Sequence, residues 1–514
     1  MRTVRTDVLI IGSGFGAAAP ALRLAEAGLR VVLVEKGPHL DPGKDFRMTQ
    51  DPHYYTRYLK SLSSERIGLT YAENLGGGSA FYEMASIRAP SAAFEQVDQN
   101  GRRLWPADVD RRALDPYYGV AEGMLHVEQI APDQVPKNGL LFAKMMQDLG
   151  YSCERAPYAV RHCIGAGFCV AGCPFGAKQS LLLNYLPQAV AAGATIETDL
   201  EALEIEALEG VRDGPVAGTM AAHPYRYVVR CRRTTGARER LSVETKVLVV
   251  AAGTVGTAKL LLRSRRGLPL LSHQVGHNVA FNGSVKVAGL MPDSMPEGDL
   301  FAGRSHAGMI SYEFLRSHGI TIAAMKPLPL QIMASARLTL EGEPASTYWG
   351  EAHVGIMRQC RRRLMVFVAL GMTPPTGRIV AAGNGFRAEV DLDDDLRRYY
   401  AETRDIMHSI LRRNGCRVLD ATYVDRDGAA HRDLHITSAH QVGSCRMATS
   451  KRDGVVDSDG AVFDYPGLYV SDGAAIPSSL AVNTAQTILA NAERIAEGIV
   501  GRYAKPVGPV LAVQ

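Results

Sequence analysis

The first thirty-five residues constrain the fold more than any other part of the chain. Residues 8–11 are a short apolar run, residues 12–16 a glycine-rich turn, residues 17–27 an alanine- and leucine-rich segment with helical spacing, and residues 31–34 a second apolar run. This order predicts a strand, a helix and a second strand. Such a βαβ unit implies a parallel sheet of the Rossmann type.

The turn itself, GSGFGA, has the spacing of a dinucleotide-binding fingerprint. Gly12 permits the tight turn, Gly14 lets the backbone approach a pyrophosphate, and Ala17 allows close packing of the helix on the strand. Gly16 completes the motif, and Glu35 at the end of the second strand can accept hydrogen bonds from a ribose. The turn therefore predicts a bound dinucleotide, although by itself it does not separate FAD from NAD.

Three later segments favour FAD over NAD. They are a glycine-rich loop at residues 74–79, with Gly76, Gly77, Gly78 and Ser79; a second strand, glycine turn and helix at residues 247–262, with Ala252 in the turn; and a C-terminal part that contains HQVGSCRM at 440–447, GLYVSDG at 467–473 and VNT at 482–484. In the first loop, successive backbone N–H groups are expected to line a flavin and its phosphates.

These segments resemble the glucose–methanol–choline (GMC) oxidoreductase family over nearly the whole chain, and the HxxGxxRM block looks most like the cholesterol-oxidase-like branch. The resemblance implies one bound FAD, with Asp472 and Gly473 near its ribityl and pyrophosphate groups. It also implies a catalytic His440 with Asn483 as its partner. Thr484, which we also expect at the cofactor, stands where the family usually has proline.

The resemblance implies oxidation of an alcohol to an aldehyde or ketone. The His440 imidazole would accept the hydroxyl proton while a hydride moves to flavin N5, and the Asn483 amide would hold the oxygen. We expect the electrons to pass to an external acceptor, either an acceptor protein or a quinone. An oxygen-using alcohol or sterol oxidase, a flavin-binding protein without turnover, and an NAD-dependent reductase are the alternatives.

The expected fold is α/β, with a discontinuous Rossmann-type FAD-binding domain and a substrate-binding cap built mainly on an antiparallel sheet. The FAD-binding domain is predicted to comprise residues 1–90, 160–280 and 430–514, and the cap residues 91–159 and 281–429. With 514 residues, of which 46% are apolar, the chain is long enough for two closely joined domains.

Three cysteines lie close together, at Cys163, Cys169 and Cys173, and Pro174 follows them. Crowded thiolates followed by proline are typical of loops that bind iron–sulfur clusters, and three ligands would suit a three-iron cluster. The sequence leaves two other interpretations open, namely buried thiols and a local disulfide. A bound cluster would favour a dehydrogenase over an oxidase.

Composition and charge patterning exclude other classes of function. The net charge is +4 over the whole chain and no dense block of lysine and arginine occurs, so we expect no nucleic-acid partner. No apolar run is long enough to span a bilayer. Because the first strand begins by residue 7, we expect no export signal and a cytoplasmic location.

Overall fold

A computed structural model describes residues 2–49, 51–208, 211, 224–298, 303–304, 306–326, 338–341, 349–421, 423–424, 430–431 and 436–504. Within these ranges the chain forms two seven-stranded sheets, called here the mixed sheet and the antiparallel sheet. Helices and smaller sheets pack around both of them.

The mixed sheet contains the predicted βαβ unit. Its strands are Arg2–Ile11, Val31–Val34, Thr195–Glu197, Leu200–Ala207, Tyr227–Arg233, Arg240–Val250 and Leu468–Val470. The first strand pairs in parallel with Val31–Val34 on one side and with Arg240–Val250 on the other. Val8, Leu9 and Ile10 have no exposed surface, as expected for a parallel sheet that is covered on both faces.

The first helix, Phe15–Glu26, follows the glycine turn directly and contains Pro20. Because proline lacks an N–H, the carbonyl of Gly16 receives no bond from this position within the helix. That carbonyl instead accepts a hydrogen bond from Ser471 Oγ at 2.6 Å, just beyond the strand Leu468–Val470. Pro20 thus leaves the Gly16 carbonyl free, and the bond from Ser471 connects the first helix to the C-terminal part of the chain.

The antiparallel sheet forms the second layer. Its strands are Glu154–Arg155, Val285–Leu290, His306–Ser311, Ile320–Met325, Leu338–Leu340, Leu364–Gly371 and Arg417–Ala421. Every pair of neighbours in it runs antiparallel. Side chains alternate between its faces, so Phe367 is fully buried on one side while its neighbour Val368 points to the other.

Further helices and short strands cover these sheets. The helices are Pro42–Asp45, Pro52–Tyr58, Ser91–Phe94, Arg111–Met124, Lys137–Asp148, Tyr185–Ala191, Gly253–Arg263, Leu315–His318, Glu351–Arg363, Asp394–Arg413 and Ala485–Tyr503, with 3₁₀ turns at Gly77–Ala80, Pro132–Gln134, Cys169–Ala171, Ser264–Arg266 and Gly473–Ala475. The other strands are Leu59–Ser63, Ile67–Ala72, Val127–Gln129, Pro157–Ala159, His277–Ala280, Gly377–Ala382, Gly385–Val390, Tyr423–Val424, Ala430–His431, Ile436–Ser438 and Val442–Ser444.

The predicted fold class is confirmed, since a sheet with a parallel core and an antiparallel sheet are both present. The division of the chain into domains at residues 90, 160, 280 and 430 stays a prediction. In the described part of the chain, no helix has the length and apolar character needed to cross a membrane.

Candidate active site

A cavity of about 990 Å³ lies between the mixed sheet and the antiparallel sheet. One end is lined by the turns that follow Arg2–Ile11, Val31–Val34 and Arg240–Val250. These turns lie at the carboxyl ends of parallel strands, where open α/β sheets bind their ligands. The other end is lined by strands of the antiparallel sheet, so the volume spans both layers and is large enough for an extended ligand.

The three motif glycines are needed for different reasons. Gly12 has a φ of +98°, and a Cβ on it would lie 2.3 Å from a backbone oxygen. A Cβ on Gly16 would lie 2.4 Å from the Cα of Asp472. A Cβ on Gly14 would meet no protein atom within 4 Å, because this residue faces the cavity. Ala17 is fully buried away from the cavity lining and serves packing.

Glu35 lies at the cavity edge, where the second strand of the βαβ unit ends. Its carboxylate accepts hydrogen bonds from Ser13 Oγ at 2.6 Å and from the Gly37 N–H at 2.9 Å. Burial raises the pKa of this carboxyl to about 7, against the lowering effect of these bonds. The side chain is thus a buried acceptor in the position that the sequence motif predicts for contact with a ribose.

The glycine-rich loop divides into residues that face the cavity and residues that support it. Gly77 and Gly78 line the cavity, and Gly78 has open space where a Cβ would be. The Gly76 N–H donates to Ser13 Oγ at 2.9 Å, and Ser79 Oγ donates to the Gly76 carbonyl at 2.6 Å. Gly76 and Ser79 therefore hold the loop against the first turn, and neither lines the cavity.

The C-terminal motif meets the second glycine turn at the wall of the cavity. Asp472 accepts hydrogen bonds from the Gly253 N–H at 2.7 Å and from Thr257 Oγ1 at 2.6 Å. Burial raises the pKa of this carboxyl to about 6. Ala252, Asp472, Gly473 and Thr484 all line the cavity, so the structure brings these four predicted residues together. Since the Asp472 oxygens already bond to the protein, this side chain also fixes both turns.

The predicted catalytic pair lies farther along the same cavity. Asn483 Nδ2 is 3.3 Å from His440 Nε2, although the two residues are 43 positions apart in the chain. The backbone N–H of His440 donates to Ser438 Oγ at 3.1 Å, which helps to fix the loop. Burial, together with the positive charge of Lys286, lowers the pKa of the imidazole to about 4. His440 is therefore neutral at physiological pH and can accept a proton.

Asn282 orients the loop that carries Asn483. Its Nδ2 donates to the carbonyl of Val482 at 2.7 Å, and its Oδ1 accepts from the N–H groups of Leu480 at 2.8 Å and Ala481 at 3.0 Å. Sequence reasoning missed this residue. The Asn-Gly pair at residues 282–283 is a turn signal, and it does not show that the side chain reaches a segment two hundred residues away.

Three further polar residues near His440 were also missed. Glu83, Lys286 and His306 all line the cavity. His306 Nδ1 makes a short hydrogen bond with the hydroxyl of Tyr158, and burial lowers the pKa of this histidine to about 4. Lys286 stands in the alternating sequence VKVA, where a lysine normally indicates the solvent face of a strand. Here that face forms a wall of the cavity.

These residues fit FAD at the nucleotide end of the cavity. Backbone glycines face open space at Gly14 and Gly78, where a pyrophosphate needs close approach. The buried Glu35 carboxylate lies beside them, as a ribose contact requires. The polar cluster around His440 lies in the same continuous volume, so a ligand held by the glycine turns can extend toward the predicted catalytic pair.

The three cysteines of the loop are not grouped as metal ligands in the described part of the chain. Cys163, Cys169 and Cys173 are free thiols, each partly exposed. Among the described residues no group of three or more histidine, cysteine, aspartate or glutamate side chains is arranged to hold a metal ion. The iron–sulfur hypothesis has no support. The loop contains no local disulfide either. The three cysteines are therefore unlinked thiols, and they are partly exposed rather than buried.

Two protein-family models match this chain. Both are described as GMC oxidoreductase, one over residues 6–282 and the other over residues 367–492. The chain belongs to the GMC oxidoreductase family. The resemblance inferred from the motifs is thereby confirmed, and the family implies FAD as the cofactor.

Individual relatives act on different substrates. The chain is 27% identical to a cholesterol oxidase of Mycobacterium tuberculosis, over 95% of this chain and 90% of that protein. It is 25% identical to a 2-methyl-1,2-propanediol dehydrogenase of Mycolicibacterium austroafricanum, over 97% of this chain and 96% of that protein. A solved formate oxidase of Aspergillus oryzae has a TM-score of 0.67 at 14% identity, over 98% of this chain and 99% of that one. Relatives of the chain thus include both an oxidase and a dehydrogenase.

Proposed function

We propose that this GMC oxidoreductase uses FAD to oxidise the hydroxyl-bearing carbon of a small-molecule alcohol to an aldehyde or ketone. The observation that carries the proposal is the His440–Asn483 pair, whose nitrogens are 3.3 Å apart in the cavity that begins at the glycine turn. A neutral imidazole and an amide donor side by side can take a hydroxyl proton and hold its oxygen.

The residues of this chain divide the binding of FAD between two regions. We assign the ribose of the nucleotide to Glu35, the pyrophosphate to Gly14 and Gly78, and the ribityl side of the pyrophosphate to the turn at Asp472 and Gly473. When bound, the flavin supplies the hydride acceptor of the reaction. The protein supplies placement of the substrate and transfer of its proton.

The protonation state of His440 decides how the pair acts. Because burial keeps the imidazole neutral, and Asn483 Nδ2 faces Nε2, we assign the ring proton to Nδ1. A substrate hydroxyl that approaches the pair from the cavity donates to Nε2 and accepts from the Asn483 amide. His440 then takes the hydroxyl proton, and Asn483 holds the oxygen as the carbonyl forms.

The second half of the reaction is reoxidation of the reduced flavin, and its rate with different oxidants identifies the external acceptor. Because the described residues give no support to a cluster in the cysteine loop, this loop is no argument for a dehydrogenase. After reduction without oxygen, the protein should be mixed separately with oxygen and with a soluble quinone. Faster reoxidation by oxygen indicates an oxidase, and faster reoxidation by the quinone indicates a dehydrogenase.

The proposed reaction is tested by a panel of alcohols mixed anaerobically with the FAD-loaded protein. Primary and secondary alcohols of different size should include members that bleach the flavin absorbance. The matching methyl ethers serve as controls, because they keep the size of the alcohol and lack the hydroxyl proton. Bleaching by an alcohol and not by its ether supports the proposal. A protein that retains FAD and is reduced by no alcohol of the panel contradicts it.

A further inference from the structure

One face of the antiparallel sheet forms the cavity wall, and its strand register arranges side chains in a row. Lys286 pairs with Val368, Val368 with Ala323, and Ala323 with Ile310. All four residues line the cavity. Lys286 is thus a charged member of a wall that is otherwise apolar along this row.

The ammonium group of Lys286 has no partner among the described residues, which give it neither a hydrogen bond nor an ion pair. Burial lowers its pKa, against the raising effect of the Glu83 charge. The side chain projects into the cavity and keeps exposed surface there, without a counter-ion in contact. A ligand that fills the cavity would bury this ammonium, and that burial costs free energy unless the ligand pairs with it.

The surroundings of Lys286 carry more positive than negative charge. Glu83 lines the same cavity. Burial raises the pKa of its carboxyl, and the positive charges of Lys286, Lys178 and Lys326 act against that rise. The ammonium of Lys178 donates to two backbone carbonyls, and that of Lys326 to the backbone carbonyl of Gly303. These carbonyl partners are neutral, and the Glu83 carboxylate interacts with three lysines rather than with Lys286 alone.

The position of Lys286 also affects the proposed base. Its charge is one of the causes that lower the pKa of His440, so it opposes formation of the imidazolium. An anion placed on Lys286 would cancel that effect. The cavity is therefore best suited to proton transfer when the substrate itself brings a negative charge.

We propose that Lys286 binds a carboxylate of the substrate, so that the preferred alcohol is a hydroxycarboxylic acid; this inference rests on the function proposed above. A monoanion matches one unpaired ammonium, whereas a phosphate would need more donors than this wall offers. The apolar residues of the row, Val368, Ala323 and Ile310, contact the carbon chain between the carboxylate and the hydroxyl.

The first test uses the wild-type, FAD-loaded protein and pairs of substrates that differ only in charge. ω-Hydroxycarboxylates of increasing length are compared with ω-hydroxyamides of the same length, and ω-hydroxyalkyl phosphates serve as the second anion. For the best length we expect kcat/KM for the acid to exceed that for the amide by about tenfold or more. Equal values for acids and amides overturn the inference, and a preference for the phosphate overturns the choice of carboxylate.

The second test changes the charge at residue 286. Lys286→Met should lower kcat/KM for the acid by about 30- to 1,000-fold, and by at least about tenfold more than for the amide. Loss of the Lys286 charge acts on His440 with both substrates, whereas only the acid loses its partner. Lys286→Arg should retain the preference. Lys144→Met, on an exposed helix position outside the cavity, is the matched control. Equal losses for acid and amide in Lys286→Met overturn the inference.

A binding measurement separates this inference from the proposed reaction. Alkanoates without a hydroxyl are titrated into wild type and Lys286→Met, and their dissociation constants are read from the flavin spectrum. Weaker binding of the alkanoate to Lys286→Met, with alkanamides unaffected, supports the inference even if no alcohol reduces the flavin. Unchanged alkanoate binding overturns it, even if neutral alcohols are oxidised.

Discussion

At the scale of single residues, the proposed reaction depends on two side chains, each of which must meet one requirement. His440 must be neutral to accept a proton, and burial favours that state. Asn483 must keep its amide close to the imidazole, and the 3.3 Å separation of the two nitrogens achieves this. Each requirement can be tested by one substitution or one titration.

Replacement of His440 removes the proposed base without filling the glycine-lined end of the cavity. We expect His440→Ala to retain FAD and to slow anaerobic reduction of the flavin by an alcohol by roughly 10²- to 10⁴-fold, the usual contribution of a general base. Asn483→Ala should act in the same direction. His273→Ala, at an exposed position, is the control and should be reduced at the wild-type rate. Near-normal reduction of His440→Ala would remove this residue from catalysis.

The pH dependence should reflect the lowered pKa of His440. The neutral imidazole is the active form, and a pKa of about 4 means that this form persists as the pH falls below the ordinary histidine range near 6.5. For a neutral alcohol, kcat/KM should therefore stay level through that range and decline only as the pH approaches about 4. Stopped-flow reduction over the pH range tests this. An acid limb near pH 6.5 that disappears in His440→Ala would show that the site does not keep this histidine neutral.

At the scale of structural elements, the C-terminal loop and the glycine turn carry the site. The loop before Ala485–Tyr503 contains Asn483 and is fixed from outside by Asn282 and by Thr321, whose Oγ1 donates to the Ala481 carbonyl at 2.5 Å. Ala481 has a φ of +57°, an uncommon conformation for a non-glycine residue. These tethers hold the loop in that conformation.

Loss of the Asn282 side chain should disturb this loop. Asn282→Ala leaves two buried N–H groups and a carbonyl without their partner, which should lower the free energy of unfolding by about 1–3 kcal/mol. Misplacement of Asn483 should slow flavin reduction by roughly 10- to 100-fold. Asn282→Gly is the matched variant, because glycine tolerates the φ of +57° at this position while lacking the amide. A wild-type reduction rate in Asn282→Gly would show that the amide does not position the loop.

The glycine turn gives a prediction about cofactor retention. A Cβ at Gly14 meets no protein atom within 4 Å, so Gly14→Val should fold and lose FAD, because its side chain fills the space needed by the pyrophosphate. Circular dichroism measures the fold and absorbance measures bound flavin. Gly119→Val, on an exposed helix position, should retain FAD. Stoichiometric FAD in Gly14→Val would mean that the turn does not approach the cofactor.

At the scale of the whole molecule, sequence patterns predicted the elements that carry local motifs. The βαβ unit, the family and the approach of His440 to Asn483 followed from short, well-spaced patterns. Glu83 and Lys286 did not, because their importance comes from the packing of one sheet against another. A lysine in an alternating strand indicates solvent, and only the arrangement of the two sheets shows that the Lys286 side faces a cavity. The cysteines show a different limit of sequence patterns, since close spacing along the chain did not group the three thiols as metal ligands among the described residues.

The most direct measurement is a single anaerobic turnover of the FAD-loaded protein with an alcohol, followed by both flavin absorbance and product analysis. The account predicts one equivalent of aldehyde or ketone for each flavin reduced, and slower reduction when the hydrogen on the carbinol carbon is replaced by deuterium. Flavin reduction without a carbonyl product, or no reduction by any alcohol of a broad panel, would contradict the central claim that this cavity oxidises alcohols.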